Sequence, residues 1–266
     1  MAVAGQGAGD AQIRVRQLSL GYGDFTVQRD VDFQVERGRI FIVMGDSGSG
    51  KSTLLRSMIG LQRPAAGDVL YDEESFWSVD DERRSEMKRR FGVLFQSGAL
   101  WSSMTLAENV ELPLLEFGRF GAGERREVVS FKLALVGLAG FEEFYPSQIS
   151  GGMQKRAGLA RAMALDPDIL FFDEPSAGLD PLSARRLDDL ILELRASLRT
   201  TFVVVTHELE SIFAIADDSV FLDGEAHTMT ARGNPRWLRE HCPVAKVRDF
   251  LNRGSPAAGT GAGDRP

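Results

Sequence analysis

Residues 45–53 read Gly45-Asp46-Ser47-Gly48-Ser49-Gly50-Lys51-Ser52-Thr53, a short run with three glycines. The stretch 39–44 before it is apolar after its first residue and contains β-branched side chains, which predicts a strand buried on both faces. Behind the run, Leu54, Leu55 and Met58 repeat with the period of a helix. A glycine-rich turn in this setting directs successive backbone N–H groups inward, and such a turn binds phosphate.

The spacing of this run fits the pattern G-x-x-x-x-G-K-S, in which each residue type has a physical role. The glycines let the backbone turn tightly, and the N-terminus of the following helix adds its positive dipole end. We expect the whole run 45–53 to line a nucleoside triphosphate, with Lys51 at the β- and γ-phosphates and the Ser52 hydroxyl on Mg²⁺. The alternative is a chance glycine-rich turn, and the flanking strand and helix favour the phosphate loop.

A second apolar strand, predicted at 169–172, ends in two acids, Asp173 and Glu174. Because the carboxyl ends of parallel strands meet at one edge of a sheet, we expect Asp173 to face the Mg²⁺ held by Ser52. Glu174 would then lie near the γ-phosphate, where a carboxylate polarises an attacking water. Strands often end in solvated acids, but the phosphate loop earlier in the chain favours the functional interpretation.

The pattern of strands and helices predicts an α/β fold with a mainly parallel core sheet. Apolar runs at 39–44, 169–172 and 201–205 alternate with helical patterns. Shorter strand-like stretches near the amino terminus predict an antiparallel β piece; they lie at 13–20, 25–27 and 31–35. Residues 98–160 show helical patterns and no strand, which predicts an inserted helical subdomain. We expect a folded domain over 11–253 between disordered tails at 1–10 and 254–266, which are rich in Gly and Ala.

Composition excludes several classes of protein. The 266 residues carry 31 Lys and Arg against 38 Asp and Glu, a net charge of −7, which argues against a nucleic-acid partner. The single cysteine, Cys242, excludes an internal disulfide. No apolar run approaches the ~20 residues that a membrane-spanning helix needs, and the amino terminus does not resemble a signal peptide. The mixed charges of 80–90 predict a solvated helix face.

Residues 149–154, Ile-Ser-Gly-Gly-Met-Gln, resemble the signature motif of ABC-transporter ATPases. The resemblance implies the ABC type of P-loop NTPase fold and an ATP-sandwich dimer. In such a dimer Ser150, Gly151 and Gly152 close over the ATP held by a second copy of the chain, where a helix N-terminus suits the γ-phosphate. Met153 stands where the family usually has Gln.

Further elements of the same family follow in order along 11–253. Gln96 resembles the Q-loop glutamine that links Mg²⁺ and the attacking water to the helical subdomain, and residues 177–180, which end in Asp180, resemble the D-loop. His207 follows the third apolar strand and resembles the switch histidine that contacts the γ-phosphate. Tyr22 resembles the aromatic residue that stacks on adenine, and Phe25 is a competing candidate.

A narrower resemblance, to the ATPase subunit of Mla-type phospholipid-asymmetry systems, rests on residues 91–100, 108–114, 150–162 and 247–251. It implies an ATPase on the cytoplasmic face of the inner membrane that powers lipid transport through a separate multi-span permease, with an MCE-domain lipid-binding protein as a further partner. The loop 96–100, with the neighbouring Trp101, Met104 and Leu106, is expected to form the groove for a permease helix. The alternative is a loop that only packs against its own chain.

Two other functional classes share some of these motifs. A non-transport ABC ATPase that regulates a membrane partner in cell division or cell-wall remodelling would carry every catalytic motif, and only its partner would distinguish it. An ABC ATPase of translation or DNA repair is disfavoured by the single phosphate loop, the absence of long coiled coils and zinc modules, and the acidic charge. A binding switch without turnover is disfavoured by the presence of both Glu174 and His207.

Overall fold

Two sheets organise the protein. The computed structural model describes residues 10–23, 25–118 and 120–253. In this part of the chain the strands are β1 (Ala11–Tyr22), β2 (Phe25–Glu36), β3 (Ile40–Gly45), β4 (Ala66–Tyr71), β5 (Glu74–Ser75), β6 (Phe91–Leu94), β7 (Ile169–Asp173), β8 (Thr201–Val205), β9 (Asp218–Asp223) and β10 (Thr228–Arg232). Of the two predicted tails, only Asp10 lies within the described residues, and its carboxylate accepts a hydrogen bond from Arg37 Nε at 2.9 Å.

The larger sheet has the order β10-β9-β3-β8-β7-β6. Its strands β9, β3, β8, β7 and β6 run parallel, and only β10 is antiparallel, to β9. The smaller sheet, β2-β1-β4-β5, is antiparallel throughout. The predicted α/β fold, with a mainly parallel core sheet and an antiparallel piece near the amino terminus, is therefore confirmed.

The prediction was wrong about β2, which is one strand where the sequence predicts two short stretches at 25–27 and 31–35. Asp30 has a left-handed conformation, with φ 51°, and the register with β1 shifts beside it. The extra residue forms a bulge that interrupts the apolar alternation but not the strand. The pattern of side chains therefore suggested a break where the backbone only bends.

Both faces of the central sheet are covered by apolar side chains. On β3, Ile40, Ile42 and Met44 face one hydrophobic cluster, while Phe41 and Val43 face the other. Full burial of such side chains contributes about 1.5–3 kcal/mol each, so both faces stabilise the fold. This arrangement explains why β3 is continuously apolar and not alternating.

Helices lie between the strands. They are α1 (Lys51–Met58), α2 (Asp81–Lys88), α3 (Leu106–Phe117), α4 (Ala122–Leu135), α5 (Gly151–Ala162), α6 (Pro181–Leu198), α7 (Leu209–Ile215), α8 (Pro235–His241) and α9 (Ala245–Asn252), with a short 3-10 helix at Pro146–Gln148. None of the described helices is both long and apolar enough to span a bilayer.

Helices α3, α4 and α5 pack against one another between β6 and β7, in the region where the sequence predicts a helical subdomain. Thr105 begins α3 with a capping box: its hydroxyl accepts from Glu108 N at 3.2 Å, and Glu108 accepts from Thr105 N at 2.7 Å. The buried Asn109 side chain accepts from Trp101 N at 2.7 Å and donates to the Trp101 carbonyl at 3.1 Å. These bonds hold the loop before α3 in place.

Candidate nucleotide site

Four polar segments meet at the carboxyl edge of the central sheet. They follow β3, β6, β7 and β8, which are neighbours in the sheet. The segments contain, in the same order, the phosphate loop 45–53, Gln96, the pair Asp173 and Glu174, and His207. The strand order therefore explains why residues far apart in sequence lie at one edge, which is where ligands bind in parallel α/β sheets.

The phosphate loop turns sharply into α1. Gly50 precedes the helix with φ 90°, and a Cβ on it would lie 2.6 Å from Val27 Cγ1, so only glycine fits. The Lys51 ammonium donates to the carbonyls of Gly45 and Asp46, each at 2.9 Å. Burial lowers the pKa of Lys51, although Glu174 and other nearby carboxylates oppose the shift. The first turn of α1 contains no acid, so its positive end is left for an anion.

Gln28 supports the phosphate loop from behind. Its buried Nε2 donates to the Ser49 carbonyl at 2.8 Å and to the Asp223 carbonyl at 3.0 Å, which joins the loop to the end of β9. Among the described residues the buried Ser49 hydroxyl has no hydrogen-bond partner. Gln28 was not among the predicted site residues, although a polar residue directly beside Val27 in a strand is a signal in the sequence.

Ser52 and Asp173 lie together, as the sequence predicts. The Ser52 hydroxyl donates to Asp173 Oδ1 at 3.0 Å. Burial, supported by the neighbouring Glu174 charge, raises the pKa of Asp173, and the Ser52 hydrogen bond opposes it. A hydroxyl and a carboxylate oxygen are the hard donors that Mg²⁺ prefers, so these residues fit the ion when phosphate oxygens and water complete its shell.

Glu174 and His207 form the second polar pair. His207 Nδ1 lies 2.8 Å from Glu174 Oε1, and the Glu174 backbone N–H donates to the Val205 carbonyl at 2.8 Å. Glu174 has a left-handed backbone, with φ 48°, a conformation that a bulky residue rarely adopts. Its Oε2 is buried and has no hydrogen-bond partner within the described chain. One carboxylate oxygen is thus oriented by His207 and the other is available to accept a proton.

Gln96 is held through its backbone. Its side chain is exposed and, within the described residues, makes no hydrogen bond with Ser52 or Asp173. Its carbonyl accepts a hydrogen bond from the buried ammonium of Lys155 on α5. Arg161, also on α5, donates to the carbonyls of Ala99 at 2.7 Å and Gly98 at 3.0 Å. Helix α5 therefore fixes the segment after β6. Neither Lys155 nor Arg161 was among the site residues predicted from the sequence.

Glycine lets α5 approach this segment closely. A Cβ on Gly158 would lie 2.9 Å from Leu94 Cδ1 and 3.0 Å from the Gly98 carbonyl oxygen. Burial lowers the pKa values of Lys155 and Arg161, and for Lys155 the nearby charges of Glu174 and Asp173 oppose the shift.

The signature residues lie beside the D-loop. The Ser150 hydroxyl caps α5 by accepting from Met153 N at 3.3 Å, and Gly152 lies against Ser183 of α6. Asp180 caps α6, and the hydrogen bonds that it accepts, led by those from Ser183, lower its pKa. In the described part of the chain, no hydrogen bond joins 150–152 to the phosphate loop. The structure therefore brings the signature and D-loop residues together, but not onto their own phosphate loop.

Tyr22 and Phe25 face each other across the β1–β2 turn, and both are exposed. The Tyr22 hydroxyl lies 3.5 Å from Thr53 Oγ1, at the end of the phosphate loop, and this contact lowers the pKa of Tyr22. Phe25 packs edge-on against His227 at 6.1 Å between ring centroids. Of the two, Tyr22 contacts the phosphate loop, and the choice of adenine-stacking residue stays a prediction.

The sequence profile of the ABC transporter family matches residues 28–177, more than half of the chain. The chain belongs to the ABC transporter family. Among solved structures, this cassette resembles the dimeric MJ0796, a bacterial ABC transporter cassette, with 30% identity and a TM-score of 0.76. That match covers 84% of this chain and 98% of the other, and the predicted family resemblance is confirmed.

Two curated relatives narrow the similarity. The cassette is 38% identical over 240 residues to the intermembrane phospholipid transport system ATP-binding protein MlaF of Escherichia coli K12, covering 90% of this chain and 88% of MlaF. It is 39% identical over 240 residues to the probable ribonucleotide transport ATP-binding protein mkl of Mycobacterium tuberculosis H37Rv. That match also covers 90% of this chain, but the chain spans only 66% of the length of mkl.

Asp188 connects the two helices that follow the D-loop and His207. Its carboxylate on α6 accepts from the Ser211 hydroxyl on α7 at 2.8 Å. Burial raises the pKa of Asp188 to about 6, the Ser211 hydrogen bond opposes this shift, and the charges of Asp189 and Glu210 add to it. The folded cassette therefore holds this proton more tightly than the unfolded chain does.

We expect Asp188→Asn to flatten the pH dependence of stability. A raised carboxyl pKa stabilises the fold at low pH, and this contribution is lost as pH rises from about 4 through about 6. The loss is at most about 3 kcal/mol, while Asn still accepts from Ser211 and does not titrate. Urea unfolding at about pH 4 and about pH 8 measures the effect as a change in the free energy of unfolding. Equal pH dependence in the wild type and the variant would contradict the assignment.

Proposed function

We propose that the cassette hydrolyses ATP and thereby drives phospholipid transport through a separate membrane permease. The observation that carries the ATPase proposal is the pair Glu174 and His207 beside Ser52 and Asp173 at the phosphate loop. One buried oxygen of Glu174 has no hydrogen-bond partner among the residues that the structure describes. The phospholipid proposal is supported by the 38% identity to E. coli MlaF over 90% of the chain.

In this mechanism the residues act mainly by positioning. Residues 45–53 bind the triphosphate, and Lys51 leaves the Gly45 and Asp46 carbonyls to reach the β- and γ-phosphates. Ser52 and Asp173 would hold Mg²⁺, with Gln96 as the third predicted ligand. When bound, the ion neutralises charge on the phosphate oxygens.

Glu174 and His207 have the chemical roles. Glu174 Oε2 accepts a proton from water as the water oxygen attacks the γ-phosphorus and the bond to ADP breaks. His207 keeps Glu174 oriented through its 2.8 Å contact and reaches the γ-phosphate from its exposed side. Tyr22 stacks on adenine in this scheme, and Phe25 is the alternative.

The active form in this proposal is a dimer of two cassettes. Ser150, Gly151 and Gly152 begin α5, where free backbone N–H groups and the helix dipole favour an anion. They lie beside Asp180 and have no hydrogen bond to their own loop 45–53 within the described residues, which suits a role on the ATP of the second copy. The solved MJ0796 cassette is dimeric, which supports this arrangement.

An apolar groove on the helical side is the proposed contact with the permease. Its cavity of about 380 Å³ lies between α2, β6, α3 and α5 and is lined by Phe95, Pro113 and Phe117. Lys88, Arg89 and Arg161 add positive charge, so the groove suits a cytoplasmic helix with apolar and acidic residues. Arg161 also donates to Gly98 and Ala99, so the groove is connected directly to the segment that contains Gln96.

This groove replaces the one that the sequence predicts around Trp101, Met104 and Leu106. Leu106 is fully buried, so it cannot line a surface groove, and Asn109 fixes the loop at Trp101 by hydrogen bonds. Trp101 itself is exposed. The earlier prediction was wrong for Leu106 because its apolar character serves the interior of the helical region.

We expect Phe117→Glu to prevent co-purification with the permease and to leave the ATPase rate of the isolated cassette within about twofold. Phe117 is 50% exposed, and Arg89 lies 5.7 Å from its ring centroid and can pair with the new carboxylate, so the fold should persist. The matched control is Phe131→Glu on α4, because Phe131 is 58% exposed and has Lys132 at 5.8 Å from its ring. Loss of the permease in both variants, or in neither, would contradict the proposed groove.

The class of molecule that is transported can be tested with the assembled complex in proteoliposomes. We expect ATP-dependent movement of labelled phospholipid to acceptor vesicles, abolished by the Phe117 variant. The name of the M. tuberculosis relative makes ribonucleotide the competing cargo, and ATP-dependent ribonucleotide uptake without lipid movement would contradict the proposal.

We further propose a peripheral location on the cytoplasmic face of the inner membrane and an MCE-domain lipid-binding partner. A division protein in place of a permease in the pull-down would favour the regulatory alternative.

A further inference from the structure

The carboxyl-terminal helix α9 packs beside the nucleotide site. Its apolar face is buried, and the ring of Phe250 lies 5.2 Å from that of Phe221 on β9. β9 is the strand next to β3, which leads into the phosphate loop. The packing therefore fixes α9 against one face of the central sheet, next to the strand that leads into the phosphate loop.

Ion pairs at both ends of α9 connect the helix to the phosphate loop and to a residue next to it in space. Near its start, Lys246 Nζ lies 2.7 Å from Asp223 Oδ1. The Asp223 carbonyl accepts from Gln28, which also holds the Ser49 carbonyl, so this pair braces the loop from behind. At the other end, Arg253 Nη2 lies 2.8 Å from Asp46 Oδ1, inside the phosphate loop itself.

Asp46 places a negative charge inside a loop that is proposed to bind phosphate. The loop 45–53 surrounds a polyanion in the proposed function, and an uncompensated carboxylate there would repel it. Lys51 contacts the Asp46 carbonyl and not its carboxylate, so the carboxylate is paired with Arg253. The Arg253 guanidinium also lies over the Phe250 ring, 5.1 Å from its centroid, which anchors it to α9.

We propose that Arg253 is a positioning residue for nucleotide: it neutralises Asp46 and ties the phosphate loop to α9. The inference rests on the proposed ATP site at 45–53 and adds a determinant outside the sequence motifs. Arg253 does not touch the substrate in this scheme; it removes a repulsive charge from the loop that does. The carboxyl terminus of the domain would thereby set the affinity for ATP.

The test is a double-mutant cycle on the affinity for a fluorescent ATP analogue. We expect Arg253→Ala to raise Kd about fivefold at low salt, and by less at high salt, because the effect is electrostatic. Asp46→Asn should bind ATP at least as tightly as the wild type. In the Asp46→Asn background, Arg253→Ala should change Kd by less than about twofold, since the repulsive charge is already gone.

The matched control is Arg248→Ala. Arg248 lies on the same helix and donates to the Cys242 carbonyl, so its removal changes the net charge equally without touching Asp46. We expect its Kd to match the wild type, with the melting temperature of each variant measured in parallel. An unchanged Kd in Arg253→Ala, or an equal effect in both backgrounds, would overturn the inference while leaving the ATP site intact. A wild type that does not bind ATP would instead overturn the proposed function, and this inference with it.

Discussion

Glu174→Gln is expected to lower the ATP turnover number by about a thousandfold and to leave ATP binding within about threefold of the wild type. A positioned general base contributes about 10²–10⁴ to a rate, and the amide cannot accept the proton from water. The variant should therefore accumulate as an ATP-bound dimer, detectable by sedimentation in the presence of ATP.

The geometry explains why this change should be so selective. Gln preserves the side-chain shape, and its amide can still meet His207, which lies 2.8 Å from Glu174 Oε1. The control is Glu208→Gln, because Glu208 is exposed and lies 3.7 Å from the other ring nitrogen of His207. Glu208→Gln should keep its turnover. Normal turnover in Glu174→Gln would exclude Glu174 as the base.

Lys51→Ala is expected to weaken ATP binding by at least about a hundredfold. In the structure the ammonium is buried and held by the Gly45 and Asp46 carbonyls, each 2.9 Å away, at the place where it can turn to phosphate. Hydrogen bonds to charged groups contribute about 1.5–3 kcal/mol each. Losing two hydrogen bonds from Lys51 to phosphate therefore accounts for this factor. Equilibrium binding of a fluorescent ATP analogue measures the change.

The melting temperature of Lys51→Ala separates binding from folding. Because burial lowers the pKa of Lys51, the free cassette pays to keep this cation charged, and its removal should not lower the melting temperature. A variant that binds ATP like the wild type would show that the loop does not use Lys51 on phosphate.

The sequence predicts the central strands well where burial on both faces leaves a continuous apolar run. β8 lies at Thr201–Val205, as predicted; β3 is shifted by one residue at each end, and β7 is one residue longer at its carboxyl end. β6, at Phe91–Leu94, was missed because it is short and contains Gly92, a residue that weakens strand propensity. Gly92 is present because a Cβ there would lie 2.2 Å from the Ala162 carbonyl oxygen of α5.

The phosphate loop and the pair Asp173 and Glu174 were predicted because each follows an apolar strand, and the other site residues were predicted because they resemble motifs of ABC-transporter ATPases. The residues that hold these motifs in place were missed, because their hydrogen bonds join distant parts of the chain. Lys155 reaches Gln96 across 59 residues, and Gln28 reaches Asp223 across 195. Such long-range pairs leave no periodic pattern in the sequence, and the polar Gln28 beside apolar Val27 in a strand is a local signal of one of them. Roles for the motif residues themselves stay predictions until the variants are measured.

The central claim is that each ATP lies between the phosphate loop of one cassette and Ser150 of another. Two variants test the phosphate loop and Ser150 separately. Lys51→Ala disables the loop, and Ser150→Asp keeps a good helix cap for α5 but adds a negative charge toward the γ-phosphate. In a mixed dimer, the Ser150→Asp chain supplies an intact loop and the Lys51→Ala chain supplies an intact serine, so one complete site forms.

The most direct measurement is the ATPase rate of the two variants alone and after mixing in equal amounts. Each alone should be inactive, and the mixture should recover about a quarter of the wild-type rate, since half of the dimers are mixed and each holds one of two sites. A mixture as inactive as its components, or a Ser150→Asp variant with the wild-type rate, would contradict a site shared between two copies.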